Sequence, residues 1–113
     1  MNSVDIIIKA IDEKLGKEIK VLDFQGVSSL MDYFVICHAD SARQIQAIVD
    51  AIEVSLKQAG YELKSIQGNA DSGWVLVDAY DVIVHVFSKE QREFYQLEYL
   101  WADLPSYGSE SNV

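Results

Sequence analysis

Residues 82–87, VIVHVF, constrain the fold of this chain more than any other stretch, because neither alternating face of the run is polar. One face consists of Val82, Val84 and Val86, and the other of Ile83, His85 and Phe87. A strand that is apolar on both faces is usually covered on both. We therefore expect residues 82–87 to form a central strand of a β-sheet, with helices packed above and below it.

A helix is predicted directly after this strand. Ser88 and Gln91 have the spacing of a capping box, in which the hydroxyl and the amide satisfy donors at the helix end. Apolar residues then recur at helical spacing, and Pro105 lies beyond the last turn. These apolar residues are Phe94, Leu97, Leu100 and Trp101. The pattern predicts one helix that buries an aromatic stripe.

The same criteria predict the other elements. In chain order they are a helix over 3–15 capped by Ser3 and stopped by Gly16, strands over 19–24 and 32–38, a helix from Ser41 to Gly60, a strand over 61–66, a polar loop over 68–73, and a strand over 74–79 with a tight turn at Tyr80 and Asp81. The first two strands are joined by a short loop, which predicts antiparallel pairing. The fold class is thus α/β, a mixed sheet of about five strands with helices packed on it. We expect a single domain over 1–105 and a small, polar, disordered tail over 106–113.

Four motifs stand in a fixed order along the chain. They are VLDFQGVSSLMDYFVI at 21–36, S-x-R-Q at 41–44, WVLVD at 74–78, and VHVF followed by R-x-F-Y-x-L-E-x-L-W at 84–101. In their order and spacing, over about residues 5–103, they resemble the iojap family, also called ribosomal silencing factor S. The resemblance implies a nucleotidyltransferase-like α/β fold.

The same resemblance implies a function that does not involve catalysis. A protein of this family is expected to bind the large ribosomal subunit through its fourteenth ribosomal protein. It would then block joining of the small subunit sterically and silence translation under nutrient limitation. The resemblance also implies that the free protein can form a homodimer.

The charge of the chain favours a basic protein partner over RNA. Eighteen acidic residues against nine basic ones give a net charge of −9, and the basic residues are scattered. Nucleic-acid binding draws most of its affinity from clustered Lys and Arg, so we expect little or no direct RNA contact. No apolar run approaches the ~20 residues of a membrane span, which argues against a membrane partner. The single cysteine, Cys37, cannot form an intrachain disulfide, which favours a reducing, cytoplasmic location.

The sequence carries no recognisable catalytic or metal centre, and we expect no enzyme activity and no cofactor. Nucleotidyl transfer needs carboxylates that converge on magnesium, but the chain contains no Asp-x-Asp motif. Asp78 and Asp81 flank a turn, where Asp is favoured without any catalytic role. His38 and His85 lie on different predicted strands, and His85 is predicted to be a core histidine bonded to a backbone or carboxylate group. A nucleotidyltransferase-fold enzyme and a homodimeric scaffold remain alternatives.

A partner-binding surface is predicted on the hairpin over residues 74–81. Trp74, Leu76 and Asp78 share one strand face by the period of two, and the turn brings Tyr80 and Asp81 alongside. An aromatic anchor rimmed by carboxylates suits a partner that presents Arg and Lys. Trp74 could equally be a core residue, which the sequence alone leaves open. Candidates for a wider surface are Asp71, Arg92, Tyr95 and Glu98.

Overall fold

One mixed β-sheet organises residues 2–108, which are the residues that the computed structural model describes. The strands are β1 (Lys17–Asp23), β2 (Tyr33–Ala39), β3 (Ser65–Asn69), β4 (Trp74–Asp78), β5 (Val82–Ser88) and β6 (Ser106–Tyr107). The helices are α1 (Ser3–Glu13), α2 (Ala42–Gln58), α3 (Lys89–Tyr95) and α4 (Leu97–Leu100), and a 3₁₀ turn at Ala70–Ser72 precedes β4. The strand order across the sheet is β3-β4-β5-β2-β1-β6.

Strand β5 lies inside this sheet, as its two apolar faces predict. It pairs in parallel with β2 and antiparallel with β4. The pairing of β1 with β2 is antiparallel, which confirms the prediction for the first two strands. The predicted fold class, a mixed α/β sheet with helices packed on it, is therefore confirmed. The described residues form six strands rather than about five, because β6 adds a short strand at one edge.

The two faces of the sheet are covered to different extents. Helices α1 and α2 cover one face, in a core that includes Ile7, Ile11, Ile45, Ile52, Val75 and Val84. The opposite face has a smaller buried cluster, which consists of Leu22, Phe24, Ile36 and Phe87. Around that cluster several sheet residues stay partly exposed, namely Phe34, Trp74, Leu76, Asp78 and Ile83. We call this second side the open face. Helices above and below the sheet were expected, but α3 and α4 are short and cover the open face only in part.

Side-chain caps fix where α2 and α3 begin. The Ser41 hydroxyl accepts a hydrogen bond from the Gln44 backbone N–H at 3.1 Å. The Ser88 hydroxyl accepts one from the Gln91 backbone N–H at 3.2 Å. Each bond satisfies a donor that the first helical turn leaves unpaired. Both predicted start sites are confirmed.

The prediction for α1 is correct about its first residue, Ser3, but wrong about the capping residue and about the end of the helix. Asn2, rather than Ser3, caps the helix, since its side chain accepts from the Asp5 backbone N–H. At the other end Leu15, not Gly16, takes the left-handed backbone conformation, with φ of 62°. Gly16 is needed for a different reason, because a Cβ at this position would collide with the Ile11 side chain.

The single helix predicted over residues 88–101 is wrong, because it breaks at Gln96. That residue has φ of 49° and separates α3 from α4. The break rotates the predicted apolar stripe out of register with the sheet. Phe94 is 76% exposed and Leu100 is 68% exposed, whereas Leu97 packs against the small cluster of the open face. The helical spacing alone gave no sign of this break.

The segment before β4 is also shifted from its predicted position. Strand β3 begins at Ser65 and continues through Asn69, into residues predicted to be a polar loop, and a 3₁₀ turn follows it. Gly68 pairs with Val75, so these polar residues join the β-ladder. β3 has a neighbour on one side only, and an edge strand accepts polar residues that a central strand would exclude.

Residues 106 and 107 were predicted to belong to a disordered tail, and this part of the prediction is wrong. Tyr107 pairs with Val21 and Ser106 with Leu22, while the Asp23 backbone N–H donates to the Pro105 carbonyl at 2.9 Å. The free edge of β1 supplies backbone groups that this short strand satisfies. Residues 109–113 of the predicted tail lie outside the described residues. No helix within residues 2–108 is long and apolar enough to cross a membrane.

Candidate partner-binding surface

The hairpin of β4 and β5 places the predicted anchor residues on the open face. Trp74 lies beside Phe87, Leu76 beside His85, and Asp78 beside Ile83. The exposure of β4 alternates along the strand, with partly exposed residues on the open face and buried valines on the other. The strand period of two therefore brings Trp74, Leu76 and Asp78 together as predicted.

Trp74 is half-buried and anchored from below by aromatic rings. Its ring centroid lies 5.0 Å from that of Phe87 and 4.5 Å from that of Tyr95. Its indole Nε1–H donates to His85 Nδ1 at 3.2 Å. Trp74 is thus packed on these rings while it stays partly exposed, and its role as a partner anchor stays a prediction. Tyr95, a candidate for the wider surface, is brought against it.

His85 is held neutral beneath Trp74. Burial lowers the pKa of His85 to about 4. Because Nδ1 accepts the indole hydrogen, the ring proton resides on Nε2, and that atom is buried without a hydrogen-bond partner among the described residues. The prediction of a backbone or carboxylate partner is wrong, since the partner is an indole. Sequence reasoning could not find it, because the bond depends on cross-strand register.

The tight turn holds Tyr80 and Asp81 at one end of the open face. Tyr80 has φ of 67°, and its backbone N–H donates to Asp78 Oδ1 at 3.0 Å. The Asp81 carbonyl accepts from the backbone N–H groups of Asp32 at 2.7 Å and Tyr33 at 3.1 Å. These bonds fix the turn against the start of β2. The Tyr80 side chain is 51% exposed and that of Asp81 is also exposed.

Arg92 and Glu98 lie in a second cluster and do not join Trp74. Arg92 is buried, and its guanidinium bonds Glu98 through Nη2 at 2.8 Å and Nε at 3.3 Å. Nη1 donates to the Lys17 carbonyl at 3.3 Å and to His38 Nδ1 at 3.0 Å. We call Arg92, Glu98, His38 and the Lys17 carbonyl the arginine cluster. The guanidinium is therefore engaged within the chain, and a place for Arg92 on the wider surface stays a prediction. Asp71 is exposed in the 3₁₀ turn before β4.

His38 is neutral within the arginine cluster. Burial lowers the pKa of its imidazole, and the adjacent Arg92 guanidinium lowers it further. An arginine has donors only, so His38 Nδ1 must be the acceptor of the 3.0 Å bond and the proton resides on Nε2. Nε2 faces a carboxylate oxygen of Glu18 at 3.7 Å. The four hydrogen bonds of the Arg92 guanidinium are thus all made within the chain.

A cleft of about 460 Å³ beside the turn was not predicted from the sequence. Its lining includes Leu30 and Met31 of the loop between β1 and β2, Phe34 and Ile83 of the sheet, and Asp78 and Asp81 of the hairpin. Tyr80 and Lys64 also line it. We call this space the hairpin cleft. Leu30 is 88% exposed at its rim, and a leucine at the end of the turn-rich stretch 25–30 is the signal that could have indicated it.

The chemistry of the described residues is limited. Within residues 2–108 no group of three or more His, Cys, Asp or Glu side chains is arranged to hold a metal ion. Cys37 is buried, and burial raises the pKa of its thiol to about 12, so it is scarcely a thiolate at neutral pH. A buried, inert thiol is what its apolar sequence context predicts.

The fold and this surface define a class of protein: a small mixed α/β protein with one sheet face covered by two helices and an aromatic, acid-rimmed face left open. Comparison with known proteins identifies the family within that class. Residues 1–112 match the family model described as "Ribosomal silencing factor during starvation". The chain is 44% identical to "Ribosomal silencing factor RsfS" of Bacillus subtilis (strain 168), over 88% of this chain and 85% of the relative. The chain therefore belongs to the ribosomal silencing factor family, as its motifs indicate.

A solved structure and a more distant relative extend this comparison. A crystal structure of a Chromobacterium violaceum protein superposes with a TM-score of 0.83 at 36% identity, covering 90% of this chain and 88% of that one. A mouse protein named "Mitochondrial assembly of ribosomal large subunit protein 1" is 28% identical over 87% of this chain, which spans 44% of its length. The nucleotidyltransferase-like label stays a prediction.

Proposed function

We propose that this protein silences translation by binding the large ribosomal subunit through its fourteenth ribosomal protein, so that the small subunit cannot join. We place this action in the cytoplasm, under nutrient limitation. Family membership supports a ribosomal role, and the name of the mouse relative refers to the large subunit.

The observation that carries the proposal is the open face around Trp74. Its indole is held in place from below while its other side is open, which is the form of an interface anchor. Leu76 and Asp78 continue this surface, and Tyr80 and Asp81 end it at the turn. A rigid aromatic with acidic neighbours presents both area and charge to a partner.

The distribution of charge supports a basic protein as the partner. The chain carries −9, and several of its few cations are engaged within the chain. Lys17 pairs with Asp40, Lys57 with Glu53, and Arg92 with Glu98. An rRNA contact would need clustered, free cations to neutralise phosphates. A ribosomal protein that sits among rRNA supplies the complementary positive charge.

No reaction is part of the proposal, because occupation of a surface is sufficient to prevent two subunits from meeting. The carboxylates of the hairpin support this view. Asp78 closes the turn by accepting from the Tyr80 backbone, which is the ordinary structural role of Asp in a turn. The homodimer of the free protein stays a prediction, and sedimentation at several concentrations would test it.

The experiment that tests the proposal follows subunit joining by light scattering. Purified large subunits are mixed with the protein before or after the small subunits are added. We expect joining to be inhibited when the protein is added first, and much less when joined ribosomes are already present. A pull-down from lysate should recover large subunits without small ones. Recovery of intact ribosomes would overturn the blocking mechanism.

A further inference from the structure

The hairpin cleft combines an apolar lining with an acidic wall. Phe34 and Ile83 are neighbours across β2 and β5, and they provide apolar surface from the sheet. Leu30 and Met31 line the cleft from the loop side. Asp78 and Asp81 line it from the hairpin. Such a lining fits a ligand that is apolar along its length and positively charged at one end.

The carboxylates of the cleft form no ion pair with a cation among the described residues. None of the four ion pairs among residues 2–108 includes Asp78 or Asp81. Lys64, which also lines the cleft, forms none of these ion pairs either. Asp78 uses Oδ1 for the Tyr80 backbone, which leaves its second oxygen without a hydrogen bond in the described part of the chain. The cleft therefore offers negative charge beside an apolar lining.

Leu30 is the most exposed large apolar residue of the described chain, and it lies at the rim of this cleft. Its exposure is not a result of a disordered backbone. The Leu30 backbone N–H donates to the Ser28 hydroxyl at 3.0 Å, and the backbone N–H groups of Val27 and Ser28 both donate to the Phe24 carbonyl at 2.9 Å. A turn that is bonded in this way presents an apolar side chain to solvent, which costs free energy that a partner can recover.

We propose that the hairpin cleft receives a lysine or arginine side chain of the basic ribosomal protein, with Leu30 closing over its aliphatic stem. This rests on the proposed function and adds a second docking element, the loop between β1 and β2. The stem would pack along Leu30, Phe34 and Ile83, as the methylene groups of basic side chains do on apolar surfaces. The charged end would meet Asp78 and Asp81, with the Tyr80 ring beside it.

A substitution at the rim separates this inference from the proposed function. Leu30→Ser removes only exposed surface, so we expect unchanged melting and at least a tenfold loss of affinity for purified large subunits. Val54→Ser is the matched control, because Val54 is 53% exposed on α2, behind the opposite face of the sheet. It should bind as the wild type does. If Leu30→Ser also binds normally while Trp74→Ala is impaired, the cleft is not a docking site, although the proposed function stands. If both variants bind normally, the open face is not the docking surface, whereas a wild-type protein that does not bind purified large subunits would overturn the proposed function itself.

Cross-linking identifies what enters the cleft. Cys37 is the only cysteine and its thiol is buried with a raised pKa, so a maleimide–benzophenone label reacts selectively with a Leu30→Cys variant. On irradiation with large subunits, we expect a cross-link to a Lys- or Arg-containing peptide of the fourteenth protein, and none from labelled Val54→Cys. A basic peptide of a different subunit protein would keep the cleft chemistry and overturn the choice of partner. A cross-link to rRNA, to a second copy of this chain, or to nothing would overturn the inference.

Discussion

Two polar regions of this protein differ in where their charges find partners. In the arginine cluster, Arg92 is buried and donates four hydrogen bonds within the chain, two to Glu98, one to His38 and one to a backbone carbonyl. In the hairpin cleft, Asp78 is partly exposed and Asp81 is exposed, and neither forms an ion pair among the described residues. Charged residues of these two regions thus have different uses. Charges paired within the chain stabilise the fold, and unpaired charges beside aromatic residues are available to a partner.

Removing Arg92 should have the largest effect and should act on stability. Arg92→Met leaves the Glu98 carboxylate, partly buried, without its cation and leaves His38 Nδ1 without a donor. We expect a loss of roughly 3 kcal/mol in the free energy of unfolding, the lower end for breaking a buried pair because Glu98 keeps some contact with water. Urea unfolding measures this change.

The matched control is Arg43→Met, since Arg43 is exposed on α2 and takes no part in the four ion pairs of the described chain. We expect a change of about 0.5 kcal/mol or less for this exposed site. Equal stability of the two variants would show that the arginine cluster does not stabilise the fold. The proposed difference between paired charges there and unpaired charges in the cleft would then not hold.

Truncating Trp74 should affect binding more than folding. Trp74→Ala removes an anchor with one open side, and we expect affinity for large subunits to fall by roughly 2 kcal/mol or more. Because the ring also packs on Phe87 and Tyr95, some stability is lost, but circular dichroism should still show a folded protein. The control is Tyr61→Ala, an exposed aromatic before β3. An unfolded Trp74→Ala variant, or one that binds normally, would make Trp74 a core residue.

Acid should weaken the support beneath Trp74. The unfolded chain protonates His85 near its ordinary pKa of 6.5, whereas the folded chain does so only at about 4. The folded pKa is depressed, so the stability from neutral His85 is complete above 6.5 and is lost as the pH falls toward 4. We expect this group alone to contribute a loss of about 2 kcal/mol between about pH 7 and pH 5. His85→Gln should show a shallower dependence of unfolding free energy on pH. If unfolding free energy depends on pH equally in the wild type and in His85→Gln, the depressed pKa of His85 is contradicted.

The sequence predicted those features that depend on local pattern. The apolar run placed β5 inside the sheet, and Ser41 and Ser88 marked two helix starts correctly because capping is decided within one turn. The alternation along β4 likewise put Trp74, Leu76 and Asp78 on one face.

Features that depend on long-range contacts were missed. In an unbroken helix, Arg92 and Glu98 would point in directions about 120° apart around the axis, since each residue turns by about 100° and six residues turn by about 600°. Their bidentate contact therefore requires the helix to break at Gln96. No glycine or proline stands at that position to indicate the break from the sequence. The Trp74–His85 bond and the hairpin cleft also depend on residues that are distant in the sequence. The loop around Leu30, for example, completes the cleft from another part of the chain.

The smallest expected effect is that of replacing Asp81, the exposed carboxylate of the hairpin. This replacement tests whether local charge or total charge guides the partner. Asp81→Lys changes the net charge by +2, from −9 to −7. Asp12→Lys on α1 makes the same change at an exposed site outside the cleft. If the acidic wall of the cleft meets a cation, Asp81→Lys should slow association with large subunits roughly threefold to tenfold and weaken its salt dependence. The Asp12→Lys rate should stay near that of the wild type. Stopped-flow mixing at several salt concentrations measures the association rates. If both variants slow association equally, total charge steers the encounter. The unpaired state of Asp81 would then have no bearing on binding, whereas a difference between the variants locates the complementary charge of the partner at the turn.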